Sequence, residues 1–414
     1  MSIGVDKFMT VSVENINYLF SSTATSQTQL DGLANRALSR GIDLYMKESY
    51  SDAVKEFRRA AGLSPFSENS AKAYDFMARA YLQDGDTDAA IKTYKEAIRM
   101  YPARDTLRVS LGDIYYQQGQ LSEAETEYTA AVKLQPDSPS SRYALGQVYL
   151  NSEKYSEAEV EFKKVVALSP QSTIGYYGLG QTYRKTGDYN DSITQLEKAV
   201  ALDRTFDNGF VELGYTYADM GDMDNANSMA DTLTAKGSYS SASAVTDYIY
   251  QITAPKFLAV YSTNGFNDAL GPGTSDVRTP VSSLDSTLAA SLAEKSFTTR
   301  FVFTKEMDAA SVQNPFNWWI SRASGISAGG AYNWGQTVPD TEATIGAIPA
   351  AVLYDPEAFS ADVTFKVAQN EGNGILGSAT IDPSHIMFKF SGMDAYGKAM
   401  DSTADEYSGI SEIV

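Results

Sequence analysis

Between Leu38 and Leu233, small and apolar residues recur along the chain with one period. Six small residues are spaced by 37, 34, 34, 34 and 34 positions, and a Leu or Tyr follows each of them three positions later. Because residues i and i+3 lie on one face of a helix, the spacing predicts an apolar helix face in each unit. The small residues are Gly41, Ala78, Gly112, Gly146, Gly180 and Gly214, and the residues that follow are Leu44, Tyr81, Tyr115, Tyr149, Tyr183 and Tyr217.

A second helix is predicted in every unit. Twelve positions after each small residue stands an Ala or Ser, where two helices must cross closely: Ala53, Ala90, Ala124, Ala158, Ser192 and Ala226. A large ring follows in the first four units, at Phe57, Tyr94, Tyr128 and Phe162, while Leu196 and Ala230 take this place in the last two. Pro65, Pro102, Pro136 and Pro170 end the second helix, since Pro cannot continue a helix.

Residues 111–136, LGDIYYQQGQLSEAETEYTAAVKLQP, carry the whole pattern of one unit. This pattern resembles the tetratricopeptide repeat family, which has a 34-residue period and the motif L-G-x-x-Y…A-x-x-x-F…P. The resemblance implies a right-handed α-solenoid of about six helical hairpins, in which the repeated residues pack helix on helix. It also implies that the function is binding of a protein or peptide partner.

From Ala254 onward, alternation with a period of two replaces the helical period. Strands are predicted for residues 256–263, 297–305, 316–323, 350–355, 362–369 and 385–392, separated by Gly-Pro, Asn-Gly and Gly-Gly turns. Several short strands with such turns favour an all-β sandwich, with surplus residues in loops near 264–296 and 324–349.

Three segments of this region resemble the bacterial Ig-like domains of surface-layer and adhesin proteins: APKFLAVYSTNG, RFVFTKEMDAASV and FSGMDAYGKAMD. Met307 and Asp308 are the clearest correspondence. The resemblance implies an immunoglobulin-like β-sandwich with a structural or adhesive role and without catalytic residues.

The predicted organisation is therefore multi-domain, α then β. An N-terminal segment is expected over residues 1–33, the solenoid over 34–237, a linker with a capping helix over 238–254, and the β-sandwich over 255–414. The N-terminal segment is rich in Ser, Thr and Asn, and its role as a tail, a cap, an export signal or an assembly arm stays open.

Composition narrows the possible functions. A net charge of −19 argues against nucleic acid, because phosphate binding needs a basic face, and also against anionic membranes. Without Cys and with His385 as the single His, the chain has no thiolate nucleophile, no disulfide and no His-based triad. We expect no enzyme activity, no cofactor and no metal.

Hydropathy bears on localisation. No stretch approaches the ~18 apolar residues of a membrane span, and the first thirty residues show no standard secretory signal. The chain is expected to be soluble, and its compartment stays open: cytoplasmic, or exported to a bacterial surface by a route without a classical signal peptide.

In the tetratricopeptide repeat family, the first helix of each unit lines a concave groove where extended peptides bind. The resemblance places an amide- and Tyr-rich set of residues on that face, and such side chains can hydrogen-bond an extended backbone and supply amphipathic contact area. The predicted groove residues are Tyr45, Arg79, Gln83, Tyr116, Gln117, Tyr143, Gln147, Asn151, Tyr177, Gln181, Arg184 and Lys185.

Two other interpretations of this face stay open: a solvated polar surface, or a surface that the chain's own N-terminal segment covers. The family's clamp for acidic chaperone tails is not expected, since its key places hold Leu38, Asp75, Val109, Tyr143 and Tyr177.

A calcium site is suggested by four acidic residues, Asp382, Asp394, Asp401 and Asp405, because hard cations prefer several carboxylate oxygens. The spacing of these residues fits no EF-hand loop, however, and Asp is common in turns. His385 has no motif partner that would make it a catalytic base. Trp318 and Trp319 point to opposite strand faces, so one is expected in the core and the other is left for a binding patch or an interface.

Three hypotheses follow. The first is a non-enzymatic scaffold whose groove binds a partner segment, with the Ig-like module for anchoring or display. The second is a bacterial cell-surface or appendage component that self-associates with other copies of itself. The third, an enzyme that uses carboxylates alone, has no residue pair to support it.

Overall fold

The computed structural model describes residues 13–263, 279–322, 342–372, 374–381 and 386–408, with side chains from residue 26 onward. It divides into two compact units, Met1–Val245 and Thr246–Val414. The predicted N-terminal segment, the two surplus loops, Asp382 and His385 lie wholly or partly outside the described residues.

Within these residues, thirteen consecutive helices precede the first strand. They are α1 (Val13–Met46), α2 (Tyr50–Leu63), α3 (Glu68–Gln83), α4 (Thr87–Met100), α5 (Asp105–Gln117), α6 (Leu121–Leu134), α7 (Pro139–Asn151), α8 (Tyr155–Leu168), α9 (Thr173–Thr186), α10 (Tyr189–Leu202), α11 (Asp207–Met220), α12 (Met223–Ala235) and α13 (Tyr239–Ile252).

Helices α1 to α12 form six hairpins, each made of a first and a second helix that contact each other. The small residues of the second helices, from Ala53 to Ala226, are fully buried where the helices cross. Phe57, Tyr94, Tyr128 and Phe162 are buried as well, and Leu196 takes the same place in the fifth hairpin. The predicted helical solenoid is therefore confirmed, with the repeated residues as its core.

Local signals explain where the helices begin and end. Ser67 and Asp86 cap α3 and α4, because their side chains accept hydrogen bonds from the backbone N–H groups of Ser70 and Ala89. At the ends of α9 and α11, Gly187 and Gly221 adopt left-handed backbone conformations with φ of 87° and 88°.

The second unit is rich in strands. They are β1 (Phe257–Ser262), β2 (Thr279–Pro280), β3 (Glu294–Phe303), β4 (Trp318–Arg322), β5 (Thr344–Ile345), β6 (Ala351–Asp355), β7 (Ser360–Ala368), β8 (Thr380–Ile381), β9 (Ile386–Phe390) and β10 (Glu406–Ser408). A short helix, α14 (Ala309–Gln313), lies between β3 and β4. All six predicted strands form.

These strands build antiparallel sheets. The largest has the order β1-β3-β7-β5, with β6 also paired to β7, and it curls into a half-barrel. A second sheet has the order β10-β9-β4, and β2 pairs with β8. The observed arrangement is a β-rich region, and its description as an immunoglobulin-like sandwich stays a prediction.

Aromatic side chains fill the core of this unit. Phe301 of β3 packs against Trp318 of β4 and Phe388 of β9, with ring centroids 5.1 Å apart in both pairs. The Trp318 indole N–H donates to the Val312 carbonyl oxygen at 2.8 Å. Trp318 is thus the member of the Trp pair that lies in the core, while Trp319 is half-buried.

Candidate peptide-binding face

The first helices of neighbouring hairpins lie side by side, as in the pairs α1 and α3, α5 and α7, α7 and α9, and α9 and α11. Residues one period apart in sequence therefore become neighbours in space. The predicted groove residues stand on these first helices, so the stacking brings side chains of separate hairpins together.

Hydrogen bonds connect several of the predicted residues across hairpins. The Gln147 amide nitrogen on α7 donates to the Gln181 amide oxygen on α9 at 3.2 Å. The Gln181 amide nitrogen donates in turn to the Tyr177 hydroxyl at 3.0 Å, and the Asn151 amide nitrogen donates to the Tyr116 hydroxyl on α5 at 2.5 Å. We call these five residues the amide–tyrosine chain.

The tyrosines of this face are half-buried and keep their protons. Burial raises the pKa of Tyr143 to about 12, and it also raises the pKa of Tyr116 and of Tyr177 above the ordinary value. The Tyr143 ring packs 5.6 Å from the ring of Phe162, and the Tyr177 ring packs 5.1 Å from that of Phe206. Near neutral pH these hydroxyls are therefore neutral, and those of Tyr116 and Tyr177 accept the amide hydrogen bonds described above.

Arg184 is placed differently from a ligand-binding cation. Its guanidinium pairs with Glu212 at 2.7 Å and with Asp219 at 3.1 Å, and it lies over the Tyr215 ring. All three partners stand on α11, and sequence reasoning missed them. The 34-residue period indicates that α11 is the neighbour of α9, but it does not indicate which of their side chains pair.

The other predicted residues are spread over the face. Arg79 pairs with Asp75 on its own helix at 3.0 Å. Tyr45 packs edge-on against Tyr50 and Phe76, with ring centroids 5.4 and 6.3 Å apart. Gln83, Gln117 and Lys185 are exposed.

The Asp residues that suggested calcium serve other contacts. Asp394 is buried and pairs with the Lys305 ammonium at 2.6 Å, while its other carboxylate oxygen accepts backbone N–H groups at a turn. Asp401 accepts the Thr403 N–H at 2.9 Å, and Asp405 lies 3.4 Å from the Lys389 ammonium. Among the described residues, no group of three or more potential metal ligands of the His, Cys, Asp and Glu types occurs.

Lys305 also holds the end of α13 within the second unit. Its ammonium donates to the carbonyl oxygens of Tyr250 and Thr253 at 2.5 and 2.9 Å and lies between the rings of Tyr250 and Tyr396. A cation at the carbonyl end of a helix is favourable because it compensates the helix dipole.

Comparison with known families supports the interpretation of the repeats. Models of the tetratricopeptide repeat match residues 77–139, 139–172 and 180–221. The helical part of the chain contains tetratricopeptide repeats. Four members of the amide–tyrosine chain fall within the matched segments, and Tyr177 lies just before the last of them.

Solved structures show distant similarity. MamA from Desulfovibrio magneticus RS-1 is 25% identical, covers 41% of this chain and 94% of its own, and gives a TM-score of 0.36. A tetratricopeptide repeat protein from Parabacteroides merdae is 15% identical, covers 53% of this chain and 90% of its own, and gives a TM-score of 0.45. The structure of pilF of Pseudomonas aeruginosa is 17% identical, covers 54% of this chain and 99% of its own, and gives a TM-score of 0.44. This similarity is too distant to transfer a function.

No curated protein sequence matches the chain. Among the described residues, no helix combines the length and the hydropathy that crossing a membrane requires.

Proposed function

We propose that the chain is a non-enzymatic interaction scaffold and that the first-helix face of its repeats binds an extended segment of a partner protein. The amide–tyrosine chain carries this proposal. It joins polar groups from three successive hairpins on one face. A surface that is only solvated would not require hydrogen bonds between hairpins.

Hydrogen-bond capacity supports a backbone ligand. A Gln or Asn amide has two N–H donors and a carbonyl acceptor, and a Tyr hydroxyl can both donate and accept. The bond between Gln147 and Gln181 uses one donor of Gln147 and the acceptor of Gln181, which leaves the Gln147 carbonyl oxygen and a second N–H for other partners. Asn151 keeps the same two groups. An extended peptide offers matching donors and acceptors along its length.

The arrangement is also pre-organised. Ring packing holds Tyr143 and Tyr177, and the amides hold one another, so binding costs little additional side-chain entropy. The family matches over the repeats support the same function, because tetratricopeptide repeats serve as protein-interaction scaffolds. Use of the β-rich unit for anchoring or display, and its Ig-like identity, remain predictions.

The test removes hydrogen-bonding groups from the first-helix face. We would select binders from random twelve-residue peptides displayed with free carboxyl termini, and measure their affinity by fluorescence anisotropy. The triple variant Gln147→Ala, Gln181→Ala and Tyr177→Phe should bind them at least about tenfold more weakly, since three hydrogen-bonding groups are lost at about 0.5–1.5 kcal/mol each.

A matched control removes the same chemistry from a second helix. The variant Asn190→Ala, Gln195→Ala and Tyr189→Phe changes only α10 and should bind like the parent protein. Circular dichroism would show that both variants stay folded. Failure to select any peptide, or equal affinity of the two triple variants, would reject the proposed function.

A further inference from the structure

Helix α1 is longer than the hairpin to which it belongs. It has 34 residues, whereas its partner α2 has 14. Ser64, at the end of α2, donates to the Asp31 carboxylate at 2.5 Å and accepts a hydrogen bond from the Gln27 amide nitrogen at 3.4 Å, so α2 ends beside this part of α1. The backbone of α1 continues to Val13. Residues 13–26, which we call the α1 arm, therefore extend past the hairpin by roughly 21 Å.

The packing of α1 does not include the α1 arm. Among the described elements, α1 packs mainly with α2 and α3. Helix α3 meets it farther along the chain, where the Asn69 amide nitrogen donates to the Asn35 amide oxygen. A helix as short as the arm is marginal in water, and the arm is rich in Ser, Thr and Asn, which favour helices less than Ala does. The helical backbone of the arm therefore requires a packing partner.

The sequence of the arm continues the buried stripe of α1. Within the first hairpin, that stripe includes Ala34, Ala37 and Gly41. From Ala34 back towards the start of the helix, alternate steps of four and three positions lead along the same helix face, which is the heptad spacing of paired helices. The positions reached are Leu30, Gln27, Thr23, Phe20, Ile16 and Val13. Leu30 is 38% exposed, so the hairpin does not fully cover the stripe there.

The polar positions of this stripe favour an identical partner. Thr23 and Gln27 interrupt the apolar positions, and an apolar partner surface would leave their hydrogen-bonding groups unsatisfied. A second copy presents the same hydroxyl and the same amide, and each of these groups can both donate and accept. Polar residues at heptad core positions fix the register of paired helices in this way.

The distribution of charge favours a second copy as well. The net charge is −19, so two copies repel each other wherever their acidic surfaces meet. Residues 15–30 contain no charged side chain, although 21% of the residues in the chain are charged. The arm is also longer than the Debye length of ~8 Å at physiological ionic strength, so contact through the arms weakens the repulsion between acidic hairpins.

We propose that the α1 arm pairs with the α1 arm of a second copy and that the protein is a dimer. The two heptad stripes face each other, with the apolar positions buried between the helices and the polar positions bonded to those of the other copy. This inference is independent of the proposed peptide binding, because the predicted groove residues begin at Tyr45, outside the arm.

Light scattering coupled to size-exclusion chromatography tests the pairing on the full chain. Interfaces of standard size bind with micromolar or tighter affinity, so a concentration series of roughly 1–100 µM is suitable. We expect twice the chain mass of 45.0 kDa. The double variant Ile16→Glu and Phe20→Glu should halve the measured mass, because it places carboxylates on both facing stripes. Tyr18→Glu with Ser22→Glu, which adds the same charge at the same spacing off the stripe, should remain dimeric.

The absence of Cys allows a second measurement. Thr23→Cys introduces a single thiol near the middle of the stripe, and oxidation should join two chains through it. Thr25→Cys, on the opposite face of the arm, should cross-link far less. Circular dichroism would show that all variants keep the helical fold. A chain that stays at 45.0 kDa throughout the series, or a dimer that both Glu pairs leave intact or weaken equally, would overturn the proposal. Preferential cross-linking at Thr25→Cys would contradict it too.

Discussion

Close contacts between glycines and rings set the packing at the residue scale. Phe162 of α8 lies between two glycines, Gly146 of its own hairpin and Gly178 of the next. A Cβ atom added at Gly146 would stand 2.6 Å from the Phe162 ring, and one added at Gly178 would stand 2.5 Å from it. Either distance is too short for a real contact, so both positions require a residue without a side chain.

Replacing Gly178 with Ala should therefore destabilise the solenoid. Phe162 is fully buried and has no space to move away, so overpacking is expected to cost about 1–3 kcal/mol in the free energy of unfolding. Urea unfolding monitored by circular dichroism would measure the change.

Gly62→Ala is the control for this prediction. Gly62 is exposed within α2 and has no atom within 4 Å of an added Cβ, so Ala should stabilise its helix by about 0.5–1 kcal/mol. Two variants with the same chemical change should thus shift stability in opposite directions. A Gly178→Ala protein as stable as the parent would show that the helices can separate to accept the methyl group.

The sequence predicted that the small and aromatic residues pack between helices, because these residues recur with a fixed period. It did not predict the hydroxyl partners of two of the rings. Tyr94 donates to Asp75 at 2.8 Å and Tyr128 donates to Asp113 at 2.6 Å. The two acids stand at different places in their repeats, so no shared spacing pairs them with the rings.

The helices and the longer strands, which have a periodic pattern, were predictable from the sequence, whereas the shortest strands were not. All six predicted strands form, whereas β2, β5 and β8 contain two residues each and β10 contains three. A strand this short has no alternation to recognise, and its pairing depends on residues distant in sequence. Helix α1 runs from Val13, across the expected boundary at residue 33, because the polar residues there do not interrupt helical geometry.

Helix α13 was predicted to cap the solenoid, and the contacts of its first half bear on this prediction. Ala242 and Val245 are its buried residues, and Val245 lies against Gly214 of α11, only 2.7 Å from where a Cβ of Gly214 would stand. The last hairpin offers less apolar area than the others, since Ala230 replaces the ring. Burial of Val245 therefore has to complete the core there.

Val245→Asp should loosen the end of the repeat array. Because each repeat contacts mainly its neighbours, the effect should remain local. Hydrogen exchange measured by mass spectrometry is expected to speed up in α11, α12 and α13 and to stay unchanged in α1 to α4. Ser240→Asp, on an exposed position of the same helix, should leave exchange in α11 and α12 as in the parent. A uniform increase along all helices would contradict the local model.

For the whole molecule, the sequence predicted a binding face on the first helices but not the contacts between the residues of that face. The period placed the predicted groove residues on first helices. It could not show that Arg184 is paired with Glu212 and Asp219, because that depends on the rotamers of two neighbouring helices.

The two units have separate cores, one built from the helical hairpins and the other from the aromatic residues of the β-rich region. We expect them to unfold in two thermal transitions, measured by differential scanning calorimetry. Each core can be weakened on its own. Gly178→Ala acts in the first unit, and Asp394→Asn acts in the second by removing the carboxylate that pairs with Lys305 at 2.6 Å.

Asp394→Asn should lower only the transition of the β-rich unit. Lys305 and Asp394 are almost fully buried, and loss of one partner of such a pair typically costs about 3–5 kcal/mol because the other charge stays in the core. Glu294→Gln is the matched control: its partner Lys366 lies 3.0 Å away, both side chains are 56% exposed, and such a pair contributes at most about 1 kcal/mol.

Gly178→Ala should shift only the transition of the helical unit. A single transition that both variants lower equally would mean that the helices and strands unfold as one cooperative structure, and the stability of the binding face would then depend on the β-rich unit.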